Sequence, residues 1–557
     1  MRQMSALSYS MFRSCKPRSP AVSPALVHRA NRIALLLSVT ATLAAFLVAD
    51  DIFEHLPHLE DEMAYLWQAR VFAKGQIAIP SPAHANYFFV PFVVDYQGLR
   101  FAKYPPGWPA ILAVGVLTGM SNWINPLLAG LGVWLTFRLG QKIFDNRTAL
   151  LAAGLLTASP FFLINSGSLL SHPFSLFLSL TLAISWVDLF FGNATSSSPS
   201  WYPKREPSPV PAWIKTGVAG FSLGGLAITR PLTAIGVGLP FFVHGLFLLW
   251  RGNWIIRKQV LTIGLIAGAG ASLLFLWQFI LTGNPMLNSY TLWWKYDRVG
   301  FGEGFGRQEG GYNLFWSMGN LLKSLRSESY DLFGWGGFSW LFLPSGLWAV
   351  RHKQQVKLLI GVIAGQVLCY STYWISPNLF GPRYYYEFTY ILCLLSAAGI
   401  FGLVDYYEHS PIRRFIQAGI TILVIFLIGY NLTIYLPKRL HKLRNLYGVN
   451  RAQQAPFLTE EAQAITPALI VVHTRKWTDY GGLLVLEDPW LTSPFVFAYG
   501  PGPMIIKSIL EDYPNRNVFH YYPATKTWCP SPLEKNPGSC CDNRSVPFCE
   551  SRKNGTN

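Results

Sequence analysis

Long apolar runs recur along this chain, and short clusters of Lys and Arg separate them. A helix needs roughly 20 mainly apolar residues to cross a bilayer. Such runs fall at about 33–50, 122–140, 148–165, 173–191, 213–229, 232–250, 259–281, 334–350, 358–375, 386–404 and 415–436. Only 13% of the 557 residues are charged, against about one quarter in an ordinary soluble domain. One water-soluble core cannot absorb that deficit. The pattern predicts an all-α polytopic membrane protein with about 11 spans.

The net charge of +17 raises nucleic acid as a partner, but its distribution argues against one. The cations cluster between apolar runs, as in Arg138, Lys142 and Arg147, or Arg351, Lys353 and Lys357. Cytoplasmic loops of membrane proteins carry this excess. Residues 1–32 contain Arg2, Arg13, Lys16, Arg18, Arg29 and Arg32 and no acidic residue, so they read as a cytoplasmic arm. A cleaved signal peptide competes with the first span, but the basic region is long for one and many spans follow. The Ser- and Pro-rich stretch 192–212, with Lys204 and Arg205, reads as a cytoplasmic loop.

With the N-terminus inside, residues 33–436 form the membrane domain, with outer loops at 51–121 and 282–333. Residues 107–119 are apolar but short, as expected of a helix lying at the interface. Residues 437–557 form a soluble, extracytoplasmic α/β module. Its expected strands are Ala468–His473, Phe495–Tyr499 and Asn517–Tyr522, with a helix over Pro503–Tyr513. No catalytic signature stands out there, so a cap or docking role is expected. Cys529, Cys540, Cys541 and Cys549 crowd its end. An adjacent Cys pair suits disulfides better than zinc spacing, and disulfides place the tail in an oxidising compartment. Gly300–Gly306 alternates glycine without the strand or spacing of a dinucleotide site.

The polar constellations all fall on the outer side. Glu60-Asp61-Glu62 follows the first span. A carboxylate there can take a proton from a nucleophile, although acidic residues also start helices, here over Asp61–Lys74. Lys103 precedes Tyr104-Pro105-Pro106-Gly107, and lysine binds phosphate as a point charge. Arg230 stands alone in the turn Thr229-Arg230-Pro231. Ionisable groups near membrane depth are costly and usually functional, whereas a snorkelling arginine serves only the headgroups. Arg383 stands beside Tyr384, and His172 closes Ser168-Leu169-Leu170-Ser171 at another outer turn. Tyr65, His172 and Tyr384 are candidates to line a substrate cavity. Cations suit a phosphate leaving group, and a base suits an acceptor hydroxyl.

The first span followed by Asp61-Glu62, the loop with Lys103-Tyr104-Pro105-Pro106-Gly107 and the paired short spans around 170–173 resemble the GT-C glycosyltransferases. The nearest group is the bacterial relatives of the protein O-mannosyltransferases (glycosyltransferase family 39) and of the lipid A aminoarabinose transferase. The resemblance covers roughly 33–436. It implies an inverting transfer from a polyprenyl-phosphate sugar to a lipid, glycan or protein acceptor, on the outer face of a bacterial inner membrane. It implies that Asp61, with Glu62 beside it, is catalytic, and that Lys103, Arg230 and Arg383 bind the donor phosphate. Loop 282–333, rich in Gly and aromatic residues, is expected to close over the sugar with its aromatic faces. Some members of the superfamily use a divalent metal, for which Asp61 and Glu62 are the candidate ligands. Where mannosyltransferases tend to have an aspartate opening the fourth span, this chain has His172, so no acceptor role carries over. The competing class is a transporter or lipid flippase. Inverted repeats and broken helices near the midplane would mark one, but no repeat is visible.

Overall fold

The computed structural model describes residues 24–191, 210–376, 379–474, 476–500, 509 and 511–530. Most of the expected basic arm, the loop 192–209, most of the expected helix Pro503–Tyr513, and Cys540, Cys541 and Cys549 lie outside them.

The first helix, α1 (Pro24–Leu47), begins earlier than expected and widens into a π turn over Val48–Ile52. The first loop then folds into α2 (Glu60–Ala73), β1 (Ile79–Pro80), β2 (Val93–Tyr96), β3 (Leu99–Ala102) and α3 (Gly107–Thr118). The three strands form an antiparallel sheet in the order β1-β3-β2, an element not foreseen in an all-α region. α4 (Ile124–Ile143), α5 (Asn146–Thr157), α6 (Pro160–Gly167) and α7 (His172–Phe190) follow. Local chemistry starts these helices. Asp145 caps α5 by accepting the Thr148 N–H at 2.9 Å, and Ser159 caps α6 with Pro160 in its first turn.

After the loop come α8 (Ala212–Thr229), α9 (Pro231–Arg251) and α10 (Trp254–Thr282). The segment expected as a plain outer loop at 282–333 contains an 18-residue amphipathic helix, α11 (Leu314–Asp331), capped by Asn313. α12 (Leu343–Val350), α13 (Gln354–Ser371), α14 (Thr389–Tyr406) and α15 (Arg413–Tyr430) complete the bundle.

Among the described residues six helices are long and apolar enough to span a bilayer, or seven if α5 and α6, bent by 57°, make one span. This corrects the expected 11. α4, α8 and α13 stand where spans were expected but pass no such test. They carry Gln141, Gly220 and Gln366, and Gln366 is fully buried among neighbouring helices. The expected span 334–350 is only the eight-residue α12. Gly334, Gly336 and Gly337 have φ of 68°, 62° and 95° and unwind its first half.

The tail forms a four-stranded sheet of β4 (Ala468–Val472), β5 (Phe495–Tyr499), β6 (Asn517–Tyr522) and β7 (Thr527–Pro530), in the order β5-β4-β6-β7. β4 lies parallel to β5 and β6, and β7 is antiparallel to β6. The three expected strands are present; β7 is additional. The tail packs on the first loop. Arg70 of α2 donates to the Glu487 and Val485 carbonyls at 2.7 and 2.8 Å, and Tyr480 donates to the Phe89 carbonyl at 3.0 Å.

Candidate active site

A single carboxylate organises the site from the start of α2. Leu59 is the N-cap, and Glu62, three residues on, turns back over it. Glu62 Oε2 accepts the His58 and Leu59 N–H groups, each at 2.9 Å. Glu62 Oε1 accepts the Leu169 N–H at 2.7 Å, from the turn between α6 and α7. That turn is also held by Trp108, whose indole donates to the Leu169 carbonyl at 2.8 Å. Asn125 donates to the Ser168 and Leu170 carbonyls at 2.6 and 2.8 Å. The start of α2 and the start of α7 are thereby clamped together.

Asp61 faces the other way, into a cavity of about 290 Å³. Its Oδ2 pairs with Arg383 Nη2 at 2.7 Å, and its Oδ1 accepts the Tyr104 hydroxyl in a short hydrogen bond. Burial alone would raise the Asp61 carboxyl. Arg383, Tyr104 and Lys103 outweigh it and hold the group below the usual carboxylate range. For Glu62 the pull of Arg383 is the weakest influence, and burial pushes the carboxyl up to about 7 despite that charge and three N–H donors.

Lys103 enters at the end of β3 and is buried in an aromatic box. Its Nζ lies 3.7 Å from the Phe92 ring centroid, 4.8 Å from Trp294 and 5.1 Å from Tyr290. It pairs with Asp297 Oδ2 at 3.3 Å, and burial lowers its pKa against the pull of Asp297. Asp297 Oδ1 accepts Tyr373 OH at 2.7 Å and the Trp374 indole at 3.1 Å. Ser289 ties this segment back to the first loop by donating to the Lys103 carbonyl at 2.6 Å.

Arg230 sits between α8 and α9. It donates to Glu387 Oε1 at 2.6 Å and to Tyr370 OH at 2.9 Å. Arg383 follows Gly381, whose φ of 81° and Pro382 turn the chain into the site. Among the described residues, Arg383 Nε and Nη1 are buried without a hydrogen-bond partner, and so are both ring nitrogens of His172. Tyr65 OH lies 3.4 Å from Ser171 Oγ.

Asp61, Lys103, Arg230, Arg383, Tyr65, His172 and Tyr384 thus all line one cavity. Glu62 does not; it fastens the backbone behind Asp61. Sequence reasoning missed Asp297, Tyr370 and Glu387, which partner the cations. Asp297 and Glu387 showed only as acidic residues in outer loops, and Tyr370 only as an aromatic residue near the end of an expected span. The donor set does not fit a metal held by Asp61 and Glu62: both Asp61 oxygens face Tyr104 and Arg383, and the Glu62 oxygens face backbone N–H groups. Among the described residues, no group of three or more His, Cys, Asp or Glu side chains is arranged to hold one.

No family model and no curated protein matches this sequence. Solved structures do. ArnT from Cupriavidus metallidurans, bound to undecaprenyl phosphate, superposes with a TM-score of 0.53 at 13% identity, over 87% of this chain and 92% of that one. The apo state of the same protein gives the same values. The apo oligosaccharyltransferase of Archaeoglobus fulgidus gives 0.49 at 14% identity, over 85% of this chain and 65% of that one. The likeness to ArnT is one of fold: this chain shares the ArnT architecture.

Proposed function

We propose that this membrane protein transfers a sugar from a polyprenyl-phosphate donor to an acceptor, with inversion at the anomeric carbon. One observation carries the reading. Three carboxylates, Glu60, Asp61 and Asp297, and three basic side chains, Lys103, Arg230 and Arg383, converge from distant parts of the chain on one cavity. Arg383 Nε and Nη1 suit the donor phosphate while Nη2 still holds Asp61. Lys103 and Arg230 add charge that a phosphate can recruit from Asp297 and Glu387. The ArnT structure with bound undecaprenyl phosphate supports a lipid phosphate as the donor's anchor.

In the reaction, an acceptor hydroxyl or amine attacks the anomeric carbon opposite the phosphate. The new bond forms as the carbon–oxygen bond to phosphate breaks, and its electron pair leaves on the phosphate among the three cations. The proton passes to the Asp61 carboxylate. The cavity and the tail face the outer side, and the arm 1–32 faces the cytoplasm. Lys142, which pairs with Asp188 at 2.6 Å, and Lys353, which donates to the Ile143 carbonyl at 3.0 Å, mark the opposite, basic end. The 33–436 part carries the chemistry, and the 437–557 part supports it.

The test is transfer from polyprenyl-phosphate sugar in membranes carrying Asp61→Asn. A loss of about 10²–10⁴-fold is expected of a missing base. Wild-type turnover in that variant overturns the reading. So does donor movement across proteoliposomes with no glycosyl transfer.

A further inference from the structure

The catalytic cavity does not end at its rim. Trp294 lines it and also lines a second cleft of about 440 Å³, whose walls include Trp293, Asn86 and Phe89. Phe89 in turn lines a third cleft of about 400 Å³, built with Lys476, Trp477, Thr478 and Tyr499 of the tail. Aromatic rings run in series between them. Phe92 lies 5.4 Å from both Trp294 and Trp293, Trp293 lies 5.7 Å from Phe89, and Phe89 lies 6.3 Å from Tyr499. Tyr499 stacks on Tyr480 at 5.2 Å.

This seam lies outside the spans, yet Phe89, Trp477 and Tyr499 each remain partly exposed, and Lys476 is exposed. Open aromatic faces with a few polar groups between them recognise ligands that carry both apolar faces and polar edges. Saccharides have both: C–H faces that stack on rings, and hydroxyls at the edge. We propose that the seam between tail and first loop binds the remote part of the acceptor, a saccharide with an anionic substituent that meets Lys476. This rests on the transferase reading and names the acceptor class for it. Binding remote from the reacting atom can then be spent on orienting the nucleophile at Asp61.

The test is calorimetric titration of the full chain in nanodiscs with an oligogalacturonate heptamer, maltoheptaose and hepta-glutamate. The acidic saccharide is expected to bind at least about tenfold more tightly than either control. Lys476→Gln should weaken it about tenfold at an unchanged unfolding midpoint, and Tyr499→Leu, which keeps an apolar side chain on β5, should weaken it about tenfold as well. The proposal fails if the acidic saccharide does not bind, if hepta-glutamate binds as well, or if neither variant changes the affinity. Undecaprenyl phosphate titrated into the same wild-type sample separates the two readings. Donor-lipid binding without saccharide binding sinks the seam alone; saccharide binding without donor-lipid binding sinks the transferase.

Discussion

Asp61 and Glu62 are neighbours in the chain, yet they meet opposite surroundings. Glu62 is buried under three N–H donors and feels Arg383 only weakly, and burial raises it from the usual 4.5 to about 7. The folded protein therefore holds a proton that the unfolded chain has released. Glu62 makes stability fall as pH rises from about 4.5 to about 7. Glu62→Gln should flatten that slope. It should also cost about 1–3 kcal/mol, because an NH₂ group then faces a buried N–H that needs an acceptor. Unfolding midpoints across that window, for both proteins, check the two effects together. Asp61 behaves inversely. Against burial, Arg383 holds it below its usual 3.8, so the acid limb of the transfer rate should lie below the ordinary carboxylate range. Arg383→Gln removes the strongest lowering interaction and should move that limb to higher pH, and an unmoved limb would contradict the pairing. Asp61, Lys103, Arg230 and Arg383 were legible because each stands out in a short polar turn. Their counter-charges were not. Asp297 lies 194 residues from Lys103 and Glu387 lies 157 from Arg230, and no local spacing announces a pair at that separation.

The turn between α6 and α7 shows how whole elements hold such residues in place. α2, α3 and α4 each send one side chain to it: Glu62, Trp108 and Asn125. Asn125→Ala would leave two buried carbonyls without that donor, at about 1–3 kcal/mol each. It should also let Ser171 and His172 drift from the cavity, and a lowered melting temperature with a reduced transfer rate is the expected pair of results. A second contact sets the far wall. A Cβ at Gly365 of α13 would sit 2.2 Å from the Gly236 carbonyl of α9, so these helices touch through bare backbone. Gly365→Ala must push them apart, at about 1–3 kcal/mol. It should loosen Tyr370 from Arg230 and weaken undecaprenyl phosphate binding, which titration would show. Helices were readable because apolar runs of 18 or more residues leave few alternatives. The sheet of the first loop was not, because β1 has two residues and β2 and β3 four each. α11 was hidden for another reason. Its apolar side faces outward through Leu314, Phe315 and Met318, so it never forms a continuous apolar run.

Across the whole molecule, α2 is gripped from two sides. Its first turn is bound to the membrane bundle through Glu62, and its last turn is bound to the tail through the Arg70 fork on Glu487 and Val485. Between these ends, Met63 packs with Val449, and Trp67 and Val71 pack against Val90 with Leu484 and Trp490 alongside. Asp61 therefore sits on a helix that the tail grips at its far end, although no residue beyond 436 lines the cavity. The tail's strands could be read from its sequence, but this coupling could not, because it joins residues more than 400 apart. Arg70→Ala removes both donors from the fork and leaves the cavity's own side chains intact. If the tail only caps the loop, transfer should be unchanged. If the tail sets the position of Asp61, kcat should fall about tenfold while the donor KM holds. On the proposed mechanism donor binding uses Lys103, Arg230 and Arg383, whereas the chemical step needs the base at a reacting distance, where a shift near 1 Å is costly. Proteolysis supplies the independent readout: in Arg70→Ala the connector at 442–458 should be cut faster than in wild type. Faster cutting with unchanged kcat would confine the tail to a protective role, and slower catalysis together with faster cutting would establish it as the outer support of the catalytic helix.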